Sequence, residues 1–213
     1  MTTDRRTRDE GPASEAARPA RIGSPANLLG IARIGATPVV IALMLLGGPG
    51  TGVAAFVLFA AAAWTDFFDG WVARRRGEVS PLGVFMDLTA DKVLVAGVLV
   101  AMVEVGLLPT WMVATIVVRE LVIAGVRQMA AAEDVVIAAR PLGKAKTFTT
   151  LAGMALLLLA FDAATGGPMA ATGLGPASLV AGFWVMVVAT VLTVVSGWDY
   201  LKGALPLLRG HRP

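Results

Sequence analysis

The chain consists of long apolar stretches separated by short connections that are polar or rich in glycine. A transmembrane helix needs about 20 mostly apolar residues to cross the hydrocarbon core of a bilayer. Six stretches meet this requirement, so the pattern predicts an all-α polytopic membrane protein with six transmembrane helices. The predicted helices cover residues 27–46, 52–72, 82–105, 109–131, 144–161 and 176–200.

Lysine and arginine are distributed unevenly between the connections, and this predicts the orientation. Connections near 47–52, 104–109 and 162–175 contain neither residue, whereas the alternate connections and both ends are basic. Because cytoplasmic loops are enriched in basic residues, we expect both termini to be cytoplasmic and the protein to lie in the inner (cytoplasmic) membrane. The predicted organisation is a disordered cytoplasmic tail at 1–21, the six-helix domain at 22–202 and a cytoplasmic C-terminal tail at 203–213.

Composition narrows the chemistry. Apolar residues make up 56% of the chain and charged residues 15%, with no cysteine and one histidine. Disulfides and thiolate metal sites are excluded, and His211 lies in the C-terminal tail, which argues against zinc bound by imidazole. Despite the net charge of +3, no interleaving of basic and aromatic residues predicts nucleic-acid binding.

Four aspartates interrupt the apolar pattern on two neighbouring predicted helices. Asp66 and Asp69 are three residues apart, and Asp87 and Asp91 are four apart, so each pair lies on one helical face. Four clustered carboxylates would repel each other at low dielectric. One or two divalent cations would remove the repulsion, and ligation by oxygen alone favours Mg²⁺ or Mn²⁺. The alternative is a set of salt bridges near the membrane surface with the neighbouring basic residues, which are Arg74, Arg75, Arg76 and Lys92.

Small residues accompany these acids. Gly70, Ala73 and Gly83 share the acidic faces, where they would leave a groove wide enough for a nucleotide diphosphate. Arg74 is placed to contact a phosphate with two hydrogen bonds. Close helix packing is the alternative explanation for each glycine taken singly.

Together these residues form the pattern Asp66-x2-Asp69-Gly70-x2-Ala73-Arg74-x8-Gly83-x3-Asp87-x3-Asp91. This pattern resembles, without a gap, the signature of the CDP-alcohol phosphotransferases. The resemblance implies a membrane enzyme, typically a homodimer, that moves a phosphatidyl-type group from a CDP-linked donor to an alcohol. Because a short basic connection joins the two acidic helices, we expect the active site to face the cytoplasm. The resemblance also implies that Asp66, Asp69 and Asp87 ligate two metal ions, with Asp91 beside them as ligand and base. The implied CDP pocket comprises Asp66, Asp69, Gly70, Ala73, Arg74 and Gly83.

The expected step is attack by an acceptor hydroxyl on the donor phosphorus that bears the lipid, with CMP as the leaving group. Two metal ions would neutralise the diphosphate, and Asp91 would take the hydroxyl proton. A carboxylate fully bound to a metal is a poor base. We therefore expect Asp91 to be held loosely or through one oxygen.

A second set of charges indicates a site for a phosphate on the acceptor, since guanidinium groups bind phosphate well. Alternatively, the lysines anchor the helices at the cytoplasmic surface, and Arg119 and Arg127 pair with Glu120 or Asp199 from another helix. We expect Arg119 and Glu120, as adjacent residues, to point in different directions and not to pair with each other. The proposed cations are Arg33, Arg119, Arg127, Lys144 and Lys146.

Three local patterns are similar to the bacterial phosphatidylglycerophosphate synthase branch, in which the acceptor is glycerol 3-phosphate: Asn27-Leu28-x4-Arg33-x4-Pro38, Arg119-Glu120-x6-Arg127 and Gly143-Lys144-x-Lys146-Thr147. The chain departs from that branch at Leu88-Thr89, where Pro-Val is common. Three other acceptors remain as alternatives: inositol phosphate, serine, and phosphatidylglycerol, which is the acceptor of a cardiolipin synthase. A transporter of ions or phosphate is a further alternative, but the outer halves of the predicted helices are almost purely Ala, Val, Leu and Gly.

Overall fold

The computed structural model describes residues 25–76, 81–132 and 141–208, with side chains described for 29–65, 89–132 and 142–205. All regular elements in these ranges are helical, which confirms the all-α prediction. The predicted N-terminal tail at 1–21 lies outside the described residues. The helices are α1 (Pro25–Leu46), α2 (Thr51–Arg76), α3 (Pro81–Glu104), α4 (Thr110–Ala132), α5 (Pro141–Ala164), a short 3₁₀ helix (Pro168–Thr172) and α6 (Gly175–Leu208).

Proline and glycine account for most of the helix ends. Helices α1, α3 and α5 each begin at a proline, whose fixed φ suits the first turn. Gly47, Gly106 and Gly166 follow the ends of α1, α3 and α5 with φ of 62°, 75° and 75°. Only glycine adopts this left-handed conformation without strain, so each of these residues stops its helix.

Three helices extend well beyond the predicted apolar stretches, and the first of them is α2, which continues past residue 72 to Arg76. Helix α5 begins before residue 144 and continues to Ala164, and α6 extends to Leu208, into the segment predicted as a tail. Ala204 of this extension, and Tyr200 just before it, are buried against Ile123 and Val126 of α4. Contacts with another helix, which the local pattern does not reveal, therefore support the last turns of α6.

By length and composition, three helices in the described part of the chain are apolar enough to cross a membrane. Their apolar segments are Leu29–Leu46, Leu142–Ala164 and Gly175–Leu205, and Thr51–Thr65 is a shorter apolar segment of α2. Helix α4 is continuous, but its apolar sequence contains the charged residues Arg119, Glu120 and Arg127. Charges of this kind lower the hydropathy of a helix and often mark a functional site.

The helices enclose one main apolar core. Helix α5 packs along α6 and against α2, α1 packs against α2 and α3, and α4 contacts α3 and α6. All six α-helices contribute large, fully buried side chains to the core, and these include Met44, Phe59, Leu99, Ile116, Leu157 and Met186. This packing brings the middle of α4 and the N-terminal halves of α3 and α5 around a common space.

Asp162 is a charged residue in the otherwise apolar end of the bundle. It is fully buried near the end of α5. Its Oδ1 accepts a hydrogen bond from Val53 N at 3.0 Å, and its Oδ2 accepts one from Met169 N at 2.9 Å. The outer ends of the helices are therefore less purely apolar than the sequence pattern suggests, because this carboxylate joins α2, α5 and the 3₁₀ helix.

Candidate active site

A cavity of about 300 Å³ lies between α3, α4 and α5. Charged and hydroxyl side chains line it near the start of α3 and α5, and Leu99, Ile116 and Leu151 line it farther along. The span from Asp91 to Leu99 along α3 is about 12 Å at 1.5 Å per residue. The cavity thus combines a polar end with apolar walls. Its polar lining residues are Thr89, Asp91, Lys92, Glu120, Lys146, Thr147 and Thr150.

An ion pair between two helices forms the polar end. Lys146 of α5 is only 6% exposed, and its Nζ donates a hydrogen bond to Glu120 Oε1 of α4. Asp91 of α3 lines the same cavity. A buried ammonium paired with Glu120 therefore lines the same cavity as a second carboxylate, that of Asp91.

Arg119 also pairs with Glu120, through Nη1 to Oε1 at 2.9 Å. The expectation that these adjacent residues cannot pair was wrong. The reason is the length of the arginine side chain, which lets the guanidinium curve back to a neighbour whose Cβ points elsewhere. Glu120 is absent from the predicted site, although an acid within an apolar stretch was a signal for it.

The guanidinium of Arg119 also binds α6. Nε donates a hydrogen bond to the carbonyl oxygen of Thr193 at 3.2 Å, and Nη2 donates one to Ser196 Oγ at 2.9 Å. Arg119 lines a shallow groove between α4 and α6, next to Gly197. It therefore joins the ion pair at the cavity to a third helix.

The other predicted acceptor cations lie in different surroundings. Arg33 is 2% exposed in α1, and its Nε donates a hydrogen bond to the carbonyl oxygen of Ala62 in α2 at 3.2 Å. Arg127 lies 5.3 Å from the ring centroid of Tyr200 of α6. Lys144 is exposed near the start of α5. Of the five cations, the structure brings Lys146 to the cavity that Asp91 lines.

The aspartate motif lies on the last turns of α2 and the first half of α3. Asp66, Asp69, Gly70, Ala73 and Arg74 lie in the last turns of α2, and their side chains are outside the described residues, as are those of Gly83 and Asp87 in the first turns of α3. Asp91, one turn after Asp87, is described and lines the cavity. Among the side chains that are described, no group of three or more His, Cys, Asp or Glu could hold a metal ion.

Comparisons with known proteins agree with the motif. Residues 24–195 match the family described as CDP-alcohol phosphatidyltransferase. A CDP-diacylglycerol–glycerol-3-phosphate 3-phosphatidyltransferase of Bacillus subtilis is 35% identical over 83% of this chain and 92% of its own length. A probable phosphatidylglycerophosphate synthase of Mycobacterium tuberculosis is 35% identical over 91% of this chain and 87% of its own length.

One of the relatives has a different printed activity. A cardiolipin synthase (CMP-forming) of Oryza sativa is 34% identical over 63% of this chain and 45% of its own length. The family match covers most of the chain, and the two bacterial relatives are matched over most of their own length. The protein therefore belongs to the CDP-alcohol phosphatidyltransferase family and is a phosphatidyltransferase.

Proposed function

We propose that the protein transfers the phosphatidyl group of CDP-diacylglycerol to glycerol 3-phosphate, releasing CMP and forming phosphatidylglycerol phosphate. The cavity that combines Asp91 and Lys146 at a polar end with apolar walls carries the proposal. A carboxylate is suited to accept a hydroxyl proton, and a buried ammonium is suited to bind a phosphate. The printed names of the two bacterial relatives support the same reaction.

In the proposed reaction, the acceptor hydroxyl oxygen forms a bond to the donor phosphorus that carries the lipid. The bond from this phosphorus to the bridging oxygen of the diphosphate breaks, and CMP leaves with the electron pair. Asp91 accepts the hydroxyl proton, and Lys146 binds the phosphate of glycerol 3-phosphate. Glu120 holds Lys146 in place before the acceptor binds.

We assign Asp66, Asp69, Asp87 and Asp91 as ligands of two Mg²⁺ or Mn²⁺ ions. The donor set fits these metals, because carboxylates provide oxygen ligands alone and Asp91 lines the cavity. Bound ions would supply positive charge that offsets the negative charge on the diphosphate and on the departing CMP. The proposed CDP pocket is formed by Asp66, Asp69, Gly70, Ala73, Arg74 and Gly83.

We further propose that all six helices cross the cytoplasmic membrane, with both termini and the active site on the cytoplasmic side. The absence of Lys and Arg from alternate connections supports this orientation. In this arrangement the lipid donor reaches the cavity from the inner leaflet, and glycerol 3-phosphate reaches it from the cytoplasm. A homodimer is the proposed assembly.

Phosphatidylglycerol is the second candidate acceptor, which would make the protein a cardiolipin synthase. The relative from Oryza sativa and the apolar walls of the cavity favour this candidate. The buried ammonium of Lys146 favours glycerol 3-phosphate, the smaller acceptor. The terminal phosphate monoester of glycerol 3-phosphate carries more negative charge to pair with this ammonium than the phosphodiester of phosphatidylglycerol does.

The test uses purified full-length protein in detergent with CDP-diacylglycerol and Mg²⁺, and CMP release is measured. Each reaction contains glycerol 3-phosphate, phosphatidylglycerol, inositol phosphate or serine as the acceptor. We expect CMP release with glycerol 3-phosphate, its loss on chelation of the metal and its recovery with Mg²⁺ or Mn²⁺. Release with one of the other acceptors alone would overturn the acceptor assignment, and uptake of ions or phosphate into vesicles without CMP release would favour a transporter.

A further inference from the structure

The side chain of Arg119 crosses α6 at a position where that helix has no Cβ. A Cβ added at Gly197 would lie 3.0 Å from Arg119 Cγ and 3.1 Å from Arg119 Nε. These distances are shorter than ordinary van der Waals contacts, so a Cβ at 197 would push the Arg119 side chain away by a few tenths of an ångström. Glycine at 197 therefore lets Arg119 pass close to α6 in the position that the structure shows.

Beside this gap, α6 supplies two acceptors for the guanidinium. Ser196 is 6% exposed, and its Oγ accepts a hydrogen bond from Nη2 of Arg119. The carbonyl oxygen of Thr193 accepts a hydrogen bond from Nε of the same group. A planar guanidinium held at two of its nitrogens has a fixed orientation.

The remaining nitrogen of the Arg119 guanidinium, Nη1, contacts a residue that lines the cavity. Nη1 of Arg119 donates a hydrogen bond to Glu120 Oε1, and the same oxygen accepts one from Lys146 Nζ. Lysine has a flexible stem and a rotatable ammonium. Its position at the cavity therefore depends on the carboxylate of Glu120, whose position depends in turn on Arg119.

We propose that Gly197 and Ser196 of α6 are positioning residues for the acceptor phosphate site and act through Arg119 and Glu120 on Lys146. This inference rests on the proposed function, in which Lys146 binds the acceptor phosphate. It assigns a role in acceptor binding to a helix that does not line the described cavity. In this proposal Arg119 holds Glu120 and through it Lys146 in position, and Lys146 alone of the three contacts the substrate.

The test compares Gly197→Ala with Gly125→Ala, since Gly125 is on α4 and has no atom within 4 Å of an added Cβ. We expect the KM for glycerol 3-phosphate to rise roughly tenfold in Gly197→Ala, as for the loss of one charge-assisted hydrogen bond. The KM for CDP-diacylglycerol should stay within about twofold of the original value. Gly125→Ala should leave both constants unchanged.

A second pair of variants covers the case in which Gly197→Ala does not fold. Ser196→Ala removes the hydroxyl that binds Arg119, and we expect the KM for glycerol 3-phosphate to rise about threefold. Ser196→Thr keeps a hydroxyl and should recover most of this change. Equal effects of either α6 variant on both substrates, or no effect on the acceptor, would overturn the inference.

The failure of the proposed function gives a different result. If the wild-type protein releases CMP with another acceptor alone, the acceptor assignment fails and the same KM comparison with that acceptor judges the positioning role. If it releases no CMP with any acceptor, the shift of Tm produced by inorganic phosphate is compared between the wild type and Gly197→Ala. A smaller shift in the variant supports the inference, and equal shifts overturn it.

Discussion

The Asp162 carboxylate accepts a hydrogen bond from the backbone N–H of Val53 at 3.0 Å, across 109 positions of sequence. Val53 lies in the first turn of α2, where backbone N–H groups have no acceptor within the helix. The partial positive charge at a helix N-terminus also favours a carboxylate there. Asp162 therefore caps α2 from the end of α5.

Replacement of Asp162 is expected to lower stability without altering the chemistry. Asp162→Ala leaves the N–H groups of Val53 and Met169 without the carboxylate that binds them, and we expect a loss of about 2–4 kcal/mol in the free energy of unfolding. Asp162→Asn keeps one acceptor oxygen and should lose less. Thermal unfolding in detergent gives the order, and CMP release per folded molecule at low temperature should match that of the wild type. A Tm unchanged in both variants would contradict the capping role.

Gly52 allows the same contact. A Cβ at this position would lie 2.5 Å from the backbone N and Cα of Asp162, and backbone atoms cannot move aside without separating α2 from α5. We expect Gly52→Ala to destabilise the protein by about 2–3 kcal/mol. The control is Gly35→Ala, which meets no atom within 4 Å and should be neutral or stabilising by up to about 1 kcal/mol. Similar Tm values for the two variants would show that the close approach at Gly52 is not required.

The number and approximate ends of the helices could be predicted from the sequence, because a long apolar run and a terminal proline or glycine are local signals. Relationships between distant residues could not. The contact of Asp162 with Val53 and the gap at Gly197 depend on which helices pack together. Within its own segment, Asp162 looks like an ordinary polar residue near a helix end. Gly197 looks like an ordinary small residue on a helix face.

The candidate site divides in the same way. The spacing of the aspartates placed Asp91 near a functional centre, and the structure places it in a cavity with Lys146. The pairing of Arg119 with Glu120 was mispredicted because the spacing of Cβ atoms does not determine where a long, flexible side chain ends. Lys146 is buried and Lys144 is exposed. This difference could not be predicted from the sequence, because it depends on how α5 packs against its neighbours.

Lys146 and Lys144 provide a test of the acceptor site against simple anchoring at the membrane surface. Lys146 is buried and paired with Glu120, whereas Lys144 is exposed two residues earlier on α5. We expect Lys146→Met to raise the KM for glycerol 3-phosphate at least about tenfold, because a charge-assisted contact to phosphate is lost. Lys144→Met should change this KM by less than about twofold, as expected for an exposed charge. The measurement is CMP release at varied acceptor and saturating donor.

Two further results decide how the lysine result is interpreted. Lys146→Arg keeps the positive charge and should bind the acceptor better than Lys146→Met does. Glu120 also pairs with Arg119, and this partner remains available in Lys146→Met, so we expect the variant to fold and its Tm to fall only modestly. Equal effects of Met at 144 and 146 would support the anchoring alternative for both lysines.

Asp91 is the proposed base, and Asp91→Asn removes its ability to accept a proton while nearly preserving its shape. General-base catalysis contributes about 100-fold to 10,000-fold, so we expect CMP release to fall by at least about 100-fold. Binding of CDP-diacylglycerol should largely survive, because the other three aspartates of the motif are unchanged. Equilibrium binding of the donor and single-turnover CMP release, measured on the same preparation, separate the two effects.

The matched control for this variant is Glu104→Gln, which removes one negative charge from an exposed position at the other end of the same helix. It should leave turnover and donor binding unchanged, because an exposed charge so far along α3 contributes little at the cavity. Full activity of Asp91→Asn would exclude Asp91 as the base. Loss of donor binding in parallel with turnover would instead leave Asp91 with a role in metal and donor binding alone, and the base would then have to be sought among the other groups of the cavity.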